Sequence, residues 1–163
     1  MLESLSEKEE KSSPWFIQVS FTGASAPFQA PDRFIKLYEQ KQKMKGNIKE
    51  KQKSFEENVI RKGMVSAVDE AIGKIMSKLK SSEDWDNTIV IFLSDNGSSV
   101  PEGNLPFKGI RGSLQEGGVR VPAFITSPLM DETVQGCIIK NVTHITDIFP
   151  TILSLAGSFY NFI

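Results

Sequence analysis

Seven consecutive residues, Thr88 to Ser94 (TIVIFLS), constrain this chain more than any other stretch. Branched and aromatic side chains fill the run without polar alternation. It therefore predicts a strand buried on both faces, as in a parallel sheet. Such a strand needs covering layers, and the preceding sequence offers one. Between Ser54 and Lys80, the residues Ile60, Met64, Val68, Ile72, Ile75 and Leu79 recur every three or four positions, the apolar stripe of a long helix. Glu70 and Lys74 form an i,i+4 pair on its polar side. Burial contributes about 1.5–3 kcal/mol per large side chain before conformational entropy is counted. The stripe is therefore expected to lie on a sheet.

Further elements follow from pattern. Trp15 to Phe21 (WFIQVSF) reads as a buried strand, Val121 to Thr126 as another, and Ile138 to Val142 as a third candidate. Thr22 to Pro31 is loop, and Pro31 starts a short helix through Tyr38. Ser81 to Asn87 is a turn. Thr146 to Ala156 is a helix with His144 or Thr146 near its start and Gly157 after its end. The alternation of strands and helices argues for an α/β fold, a mostly parallel sheet flanked by helices. With 163 residues the chain suffices for one compact domain. We expect a disordered lead over 1–13, the domain over 14–157 and an irregular tail over 158–163.

Composition excludes several function classes. The formal net charge is −1, so no field over the whole chain recruits nucleic acid or acidic lipid. The single cysteine, Cys137, rules out an internal disulfide framework and is expected to be a small buried hydrophobe. No run of about 18 apolar residues predicts a membrane span, and Met1 to Ser13 has no apolar core of a signal peptide. The lysines of Gln40 to Lys53 read as a solvated helix or flexible insert, because no aromatic residue interleaves with them.

In open α/β sheets, ligands sit beyond the carboxyl ends of strands. Asp95 and Asn96 stand at that end of the strongest strand and offer hard oxygen donors suited to Ca²⁺ or Mg²⁺. From spacing alone, Asp-Asn-Gly also fits an Asx turn, and both readings stay open. The Gly- and Pro-rich stretch from Ser98 to Gly118 is a long irregular loop of the kind that carries function.

The segment Ile91 to Gly97 (IFLSDNG), followed by Pro106 to Pro122 (PFKGIRGSLQEGGVRVP), resembles the sulfatase family and its arylsulfatase B-like branch. Other ordered motifs agree: Gly63 to Ala71, Trp85 to Thr88, the loop Pro27 to Pro31, and His144-Ile145-Thr146-Asp147-Ile148-Phe149-Pro150-Thr151. The resemblance covers about Trp15 to Gly157. It implies part of an alkaline-phosphatase-like α/β fold and a sulfuric ester hydrolase acting on aryl or glycosaminoglycan-type sulfate esters. It further implies Ca²⁺ as cofactor, with Asp95 and Asn96 among its ligands, and a formylglycine nucleophile made from cysteine. A lysosomal or secreted location, where the sequon Asn141-Val142-Thr143 could carry a glycan, is implied as well.

The chain departs from the family pattern in ways that bear on chemistry. No Cys-x-Pro-x-Arg or Cys-x-Ala-x-Arg motif is present, and the family's early Asp-Asp metal pair is absent. The resemblance thus implies a partial chain without a nucleophile, inactive alone. Ser25 stands where the family has a histidine, and Arg111 where it has a lysine. Arginine stays charged and does not readily give up a proton, so Arg111 is expected to bind sulfate better than it protonates a leaving group. Lys108 stands where the family often has arginine, and Arg120 is expected to support the loop through an ion pair. His144 is expected to cap a helix. The competing reading is a non-catalytic relative that binds sulfated glycans. Gly109-Ile110-Arg111-Gly112 also matches a Gly-x-x-Gly nucleic-acid clamp, but the slightly acidic net charge argues against that class.

Overall fold

The structure is a computed structural model, described over residues 14–43 and 52–158. The expected lead over 1–13, the middle of the lysine-rich segment and the tail beyond Ser158 lie outside the described residues. The chain divides into two compact units, one up to Thr88 and one from Ile89.

The first unit is built on two helices, α1 (Asp32–Lys43) and α2 (Gln52–Lys80). Pro31 precedes α1 with its fixed φ, and its carbonyl accepts from the Phe34 amide at 2.9 Å. Asp32 places a carboxylate in the first turn, where the helix dipole favours it. The helix runs past the Tyr38 end that its sequence suggests.

The helices meet where Gly63 removes a side chain. A Cβ there would lie 3.1 Å from Ala30 Cβ and 3.4 Å from the Ile35 amide nitrogen. Val59, Met64 and Phe34 form the core of this contact, with Val59 only 2% exposed. Tyr38 and Ser66 share a 2.7 Å hydrogen bond across it. At its rim Glu70 takes both Arg33 and Lys74 at 2.8 Å.

The closest packing therefore runs along Val59 and Gly63, while Ile60, Val68, Ile72, Ile75 and Leu79 of the predicted stripe are half-buried. The sheet expected under α2 is not in its unit. Its packing partner there is α1, and the first unit holds no strand among the described residues.

The strand expected over Trp15–Phe21 is not formed. The segment is extended, and Trp15, Phe16, Val19 and Phe21 are exposed. Strand identity needs a partner's main chain, and none of the described strands belongs to its unit. Trp15 instead donates its ring N–H to Asp84 Oδ2 at 3.4 Å.

The second unit holds β1 (Val90–Leu93) and β2 (Ala123–Thr126), the single turn α3 (Glu116–Val119), and α4 (Ile148–Leu155). β1 and β2 pair antiparallel, with Val90 opposite Thr126 and Leu93 opposite Ala123. Parallel pairing was expected for Thr88–Ser94. The long loop leaves the end of β1 and brings β2 back beside that same end, and β1, expected to be buried on both faces, is half-buried while β2 is exposed. Phe92 and Phe124, opposite each other in register, stack at 5.0 Å between ring centroids.

The helix start near His144 is made as expected. His144 Nδ1 accepts from the Thr146 amide, and Asp147 Oδ2 accepts from the His144 amide at 2.7 Å, a capping box ahead of α4. Gly157 follows with a φ of +77°. Two expectations fail nearby. Ile138–Val142 forms no strand and its side chains are exposed. Cys137 is exposed rather than buried, because it follows a surface 3₁₀ turn with its Sγ 3.6 Å from Thr133 O. No helix among the described residues is long and apolar enough to cross a membrane.

Hydrogen bonds from Lys74 first, then Arg33, hold the Glu70 carboxyl below the usual glutamate value. A lowered folded-state pKa contributes stability above the unfolded value and loses it as pH falls through the folded one. Glu70→Gln should therefore be less stable than the parent chain at neutral pH. The gap in denaturant midpoint, followed by helical circular dichroism, should close well below the usual glutamate pKa.

Candidate functional site

The site predicted from sequence begins where β1 ends. The Ser94 amide donates to Pro122 O at 3.1 Å, extending the β1–β2 pairing by one bond. Three residues on, the Gly97 amide donates to Gly118 O at 3.0 Å. Asp95 and Asn96 occupy the bend between these two anchors, Asp95 exposed and Asn96 half-buried. Ser94 Oγ donates to Asn96 O at 3.0 Å, and Asn96 Nδ2 donates to Asp95 Oδ1. The Gly97 amide, which would close an Asx turn on Asp95, is engaged with Gly118 instead. The local turn explanation therefore has lost its defining bond.

Behind this bend the loop folds into three touching segments of main chain. Arg111 N donates to Ser98 O at 2.9 Å, and Gly117 N donates to Lys108 O at 2.7 Å. A Cβ on Gly97 would lie 1.8 Å from Gly117 O, and one on Gly117 would lie 2.4 Å from Gly109 O. No real side chain fits at such distances, so glycine is required by close approach and not by turn preference. Gly109 and Gly112 add positive φ values of 98° and 86° on either side of Arg111.

Through these bonds the structure brings the stretch after Asp95–Asn96 against the stretch that carries Lys108 and Arg111. Both cationic side chains are exposed, and neither has a carboxylate partner among the described residues. Arg120 differs from them. Its guanidinium contacts Glu116 Oε2 at 3.1 Å and lies 4.7 Å above the Phe107 ring, so it braces the loop, as expected for an ion-paired support.

Ser25 belongs to the first unit. There it lines a hollow of about 450 Å³ together with Phe21, Gly23, Pro27, Met64 and Val68.

Asp95 and Asn96 suit a hard dication in donor type, a carboxylate and a carboxamide oxygen. They do not suffice in number, since Ca²⁺ takes about six to eight oxygens. Among the described residues, no group of three or more His, Cys, Asp or Glu side chains is placed to hold a metal. The pair can thus form only part of a coordination sphere. What this stretch offers by itself is two exposed cations without carboxylate partners among the described residues, Lys108 and Arg111, and the two oxygen donors of Asp95 and Asn96.

Sequence reasoning missed Asn104. It is buried, and its side chain bonds both Ser98 and Gly109. Its neighbours Gly103 and Pro106 signal loop, and nothing in the sequence around it signals burial. Phe107, the ring under Arg120, was also missed.

Comparison with known proteins adds an independent line. The family model described as Sulfatase matches residues 1–158. Arylsulfatase J of Mus musculus is 34% identical over 145 residues, covering 88% of this chain and 22% of the relative. N-acetylgalactosamine-6-sulfatase of Homo sapiens is 38% identical over 99 residues, 57% of this chain and 19% of that protein. Among solved structures, Ps i-CgsB in complex with k-i-k-neocarrahexaose aligns with a TM-score of 0.77 at 31% identity, covering 98% of this chain and 33% of the neighbour. The chain thus spans a fifth to a third of the proteins it matches.

Two glycines give opposite expectations. Gly97→Ala forces a Cβ into Gly117 O and should destabilise the chain by about 1–3 kcal/mol or more. Gly73→Ala, in the middle of α2 with nothing within 4 Å, should stabilise it by about 0.5–1 kcal/mol. Denaturant titration of both variants checks the pair.

Proposed function

The chain belongs to the sulfatase family and carries part of its alkaline-phosphatase-like α/β fold; from that premise we propose that it supplies the anion-holding part of an arylsulfatase B-like sulfuric ester hydrolase site. Membership of the family supports metal-dependent sulfate ester hydrolysis, which for the protein containing this chain is part of the proposal. The substrate class, the metal and the residue roles are our reading. One observation carries it: Lys108 and Arg111 are unpaired by carboxylates among the described residues, and Arg111 N is bonded to Ser98 O, two residues beyond Asn96, while Lys108 O accepts from Gly117 N beside it.

In this reading Asp95 and Asn96 are two of the oxygen ligands of a divalent cation, Ca²⁺, whose charge would offset that of the bound sulfate. Lys108 and Arg111 bind the sulfate oxygens through charge-assisted hydrogen bonds. The Arg111 guanidinium is permanently charged, so it orients the ester without donating a proton to the leaving oxygen. Ser25, in place of the family histidine, could offer only a neutral hydroxyl. No residue of this chain fits the role of nucleophile, so the 163-residue chain alone should not turn over. The attacking group comes from elsewhere in the intact protein.

The substrate is an aryl or glycosaminoglycan-type sulfate ester, with a sugar ester favoured by the oligosaccharide complex of the structural neighbour. A lysosomal or secreted location accompanies this substrate class. The sequon at Asn141, exposed beside a fully exposed Val142, would then carry a glycan. Arg111 and Ser25 also favour a second reading, a non-catalytic relative that binds sulfated glycans without turnover.

Hydrolysis of a chromogenic aryl sulfate by the intact native protein, with and without calcium, tests the reading. Calcium-dependent turnover is expected, with Asp95→Ala lowering it by roughly 100-fold. Arg111→Lys should raise kcat by about 10-fold or more if a proton donor is what the natural residue withholds. Turnover that ignores both calcium and Asp95→Ala would rule the reading out. Sulfated-glycan binding with no turnover in any variant would favour the non-catalytic relative.

A further inference from the structure

Resting on the functional reading above, we propose that Asn104 is the positioning residue that sets the cationic arm of the site against its metal-side arm. Asn104 touches neither end of the site with a charge. It is 9% exposed and spends its whole carboxamide on the loop's main chain. Its Oδ1 accepts from the Ser98 amide at 2.6 Å, and its Nδ2 donates to Ser98 O at 2.9 Å and to Gly109 O at 3.0 Å.

The amide orientation is fixed by its partners. Turned over, its NH₂ would face an N–H and its oxygen would face two carbonyls. Ser98 lies two residues beyond Asn96, and Gly109 directly follows Lys108. One side chain thus joins the two halves of the site, reinforcing the bond from Arg111 N to Ser98 O.

Lys108 and Arg111 are exposed on their side chains, so their placement depends on the main chain beneath them. That main chain is held by a few bonds, and Asn104 makes three of the contacts. The requirement is for two donors and one acceptor at fixed angles, not for volume. Asn104→Asp has the same size and keeps the acceptor, but it directs carboxylate oxygens at Ser98 O and Gly109 O. A packing role would tolerate aspartate, whereas the positioning role would not.

The experiment uses the intact native protein, unsubstituted and with Asn104→Ala or Asn104→Asp. Binding of inorganic sulfate is measured by titration calorimetry, kcat and KM for an aryl sulfate by kinetics, and amide exchange over 94–120 by mass spectrometry. Both variants should bind sulfate at least 10-fold more weakly and raise KM by a similar factor. The Ser98 and Arg111 amides should exchange at least 10-fold faster, while those of β1 keep their protection. A folded variant that binds sulfate as the parent does, or protects Ser98 and Arg111 as the parent does, overturns the proposal.

If alanine prevents folding, aspartate alone decides. If both do, exchange in the unsubstituted protein decides: open-loop rates at Ser98 and Arg111 overturn the proposal and protection supports it. A parent protein that neither binds sulfate nor hydrolyses the ester removes the functional reading, and this proposal with it. A parent that does both, beside variants that match it, removes only the positioning role.

Discussion

The candidate site exists because three stretches of main chain can touch without side chains between them. Around Gly97, Gly117 and Gly118, backbone lies against backbone at distances that leave no room for a Cβ. Irregular chain of this length has no repeating ladder to satisfy its polar groups, so each amide needs an individual partner. Here Gly97, Arg111 and Gly117 find carbonyls in the neighbouring stretch. The contact gives the loop a definite shape, and the shape determines where its charges can stand.

Much of this was legible before any coordinates. The α2 stripe, the apolar run at β1 and the helix after His144 each carry a local signal: period, β-branching, a capping pair. Their elements appear within a few residues of the predicted limits. The glycine-rich loop motif was legible through resemblance, because Asp-Asn-Gly and Glu-Gly-Gly-Val-Arg recur in order. The role of its glycines was legible only in kind, since a sequence shows that a residue is small but not what lies against it. Asn104 shows the limit most clearly. A loop asparagine has many possible partners, and only the folded path selects Ser98 and Gly109.

The two missing strands share one physical cause. Trp15–Phe21 and Ile138–Val142 have strand-like composition, yet neither pairs among the described residues. β-propensity measures fit to a pleated, half-covered surface, and it has no meaning until a neighbour supplies that surface. Among the described residues β1 has one strand neighbour, which the connection sets antiparallel, and its apolar run is half-buried there rather than covered on both faces. Cys137 was expected inside because small thiols are usually buried, but a surface turn set its place first.

Arg120 has a further consequence for how a ligand arrives. Because its charge is offset by Glu116 and drawn over Phe107, it adds little to the far field of the loop. The exposed cations of that stretch without a carboxylate partner among the described residues are Lys108 and Arg111, and the carboxylates of Asp95 and Glu102 stand in the same stretch. Each of these exposed charges acts over about one Debye length, roughly 8–10 Å in physiological salt. Any pull these two charges exert on an anion is then strongest in dilute buffer and weakens as ionic strength rises.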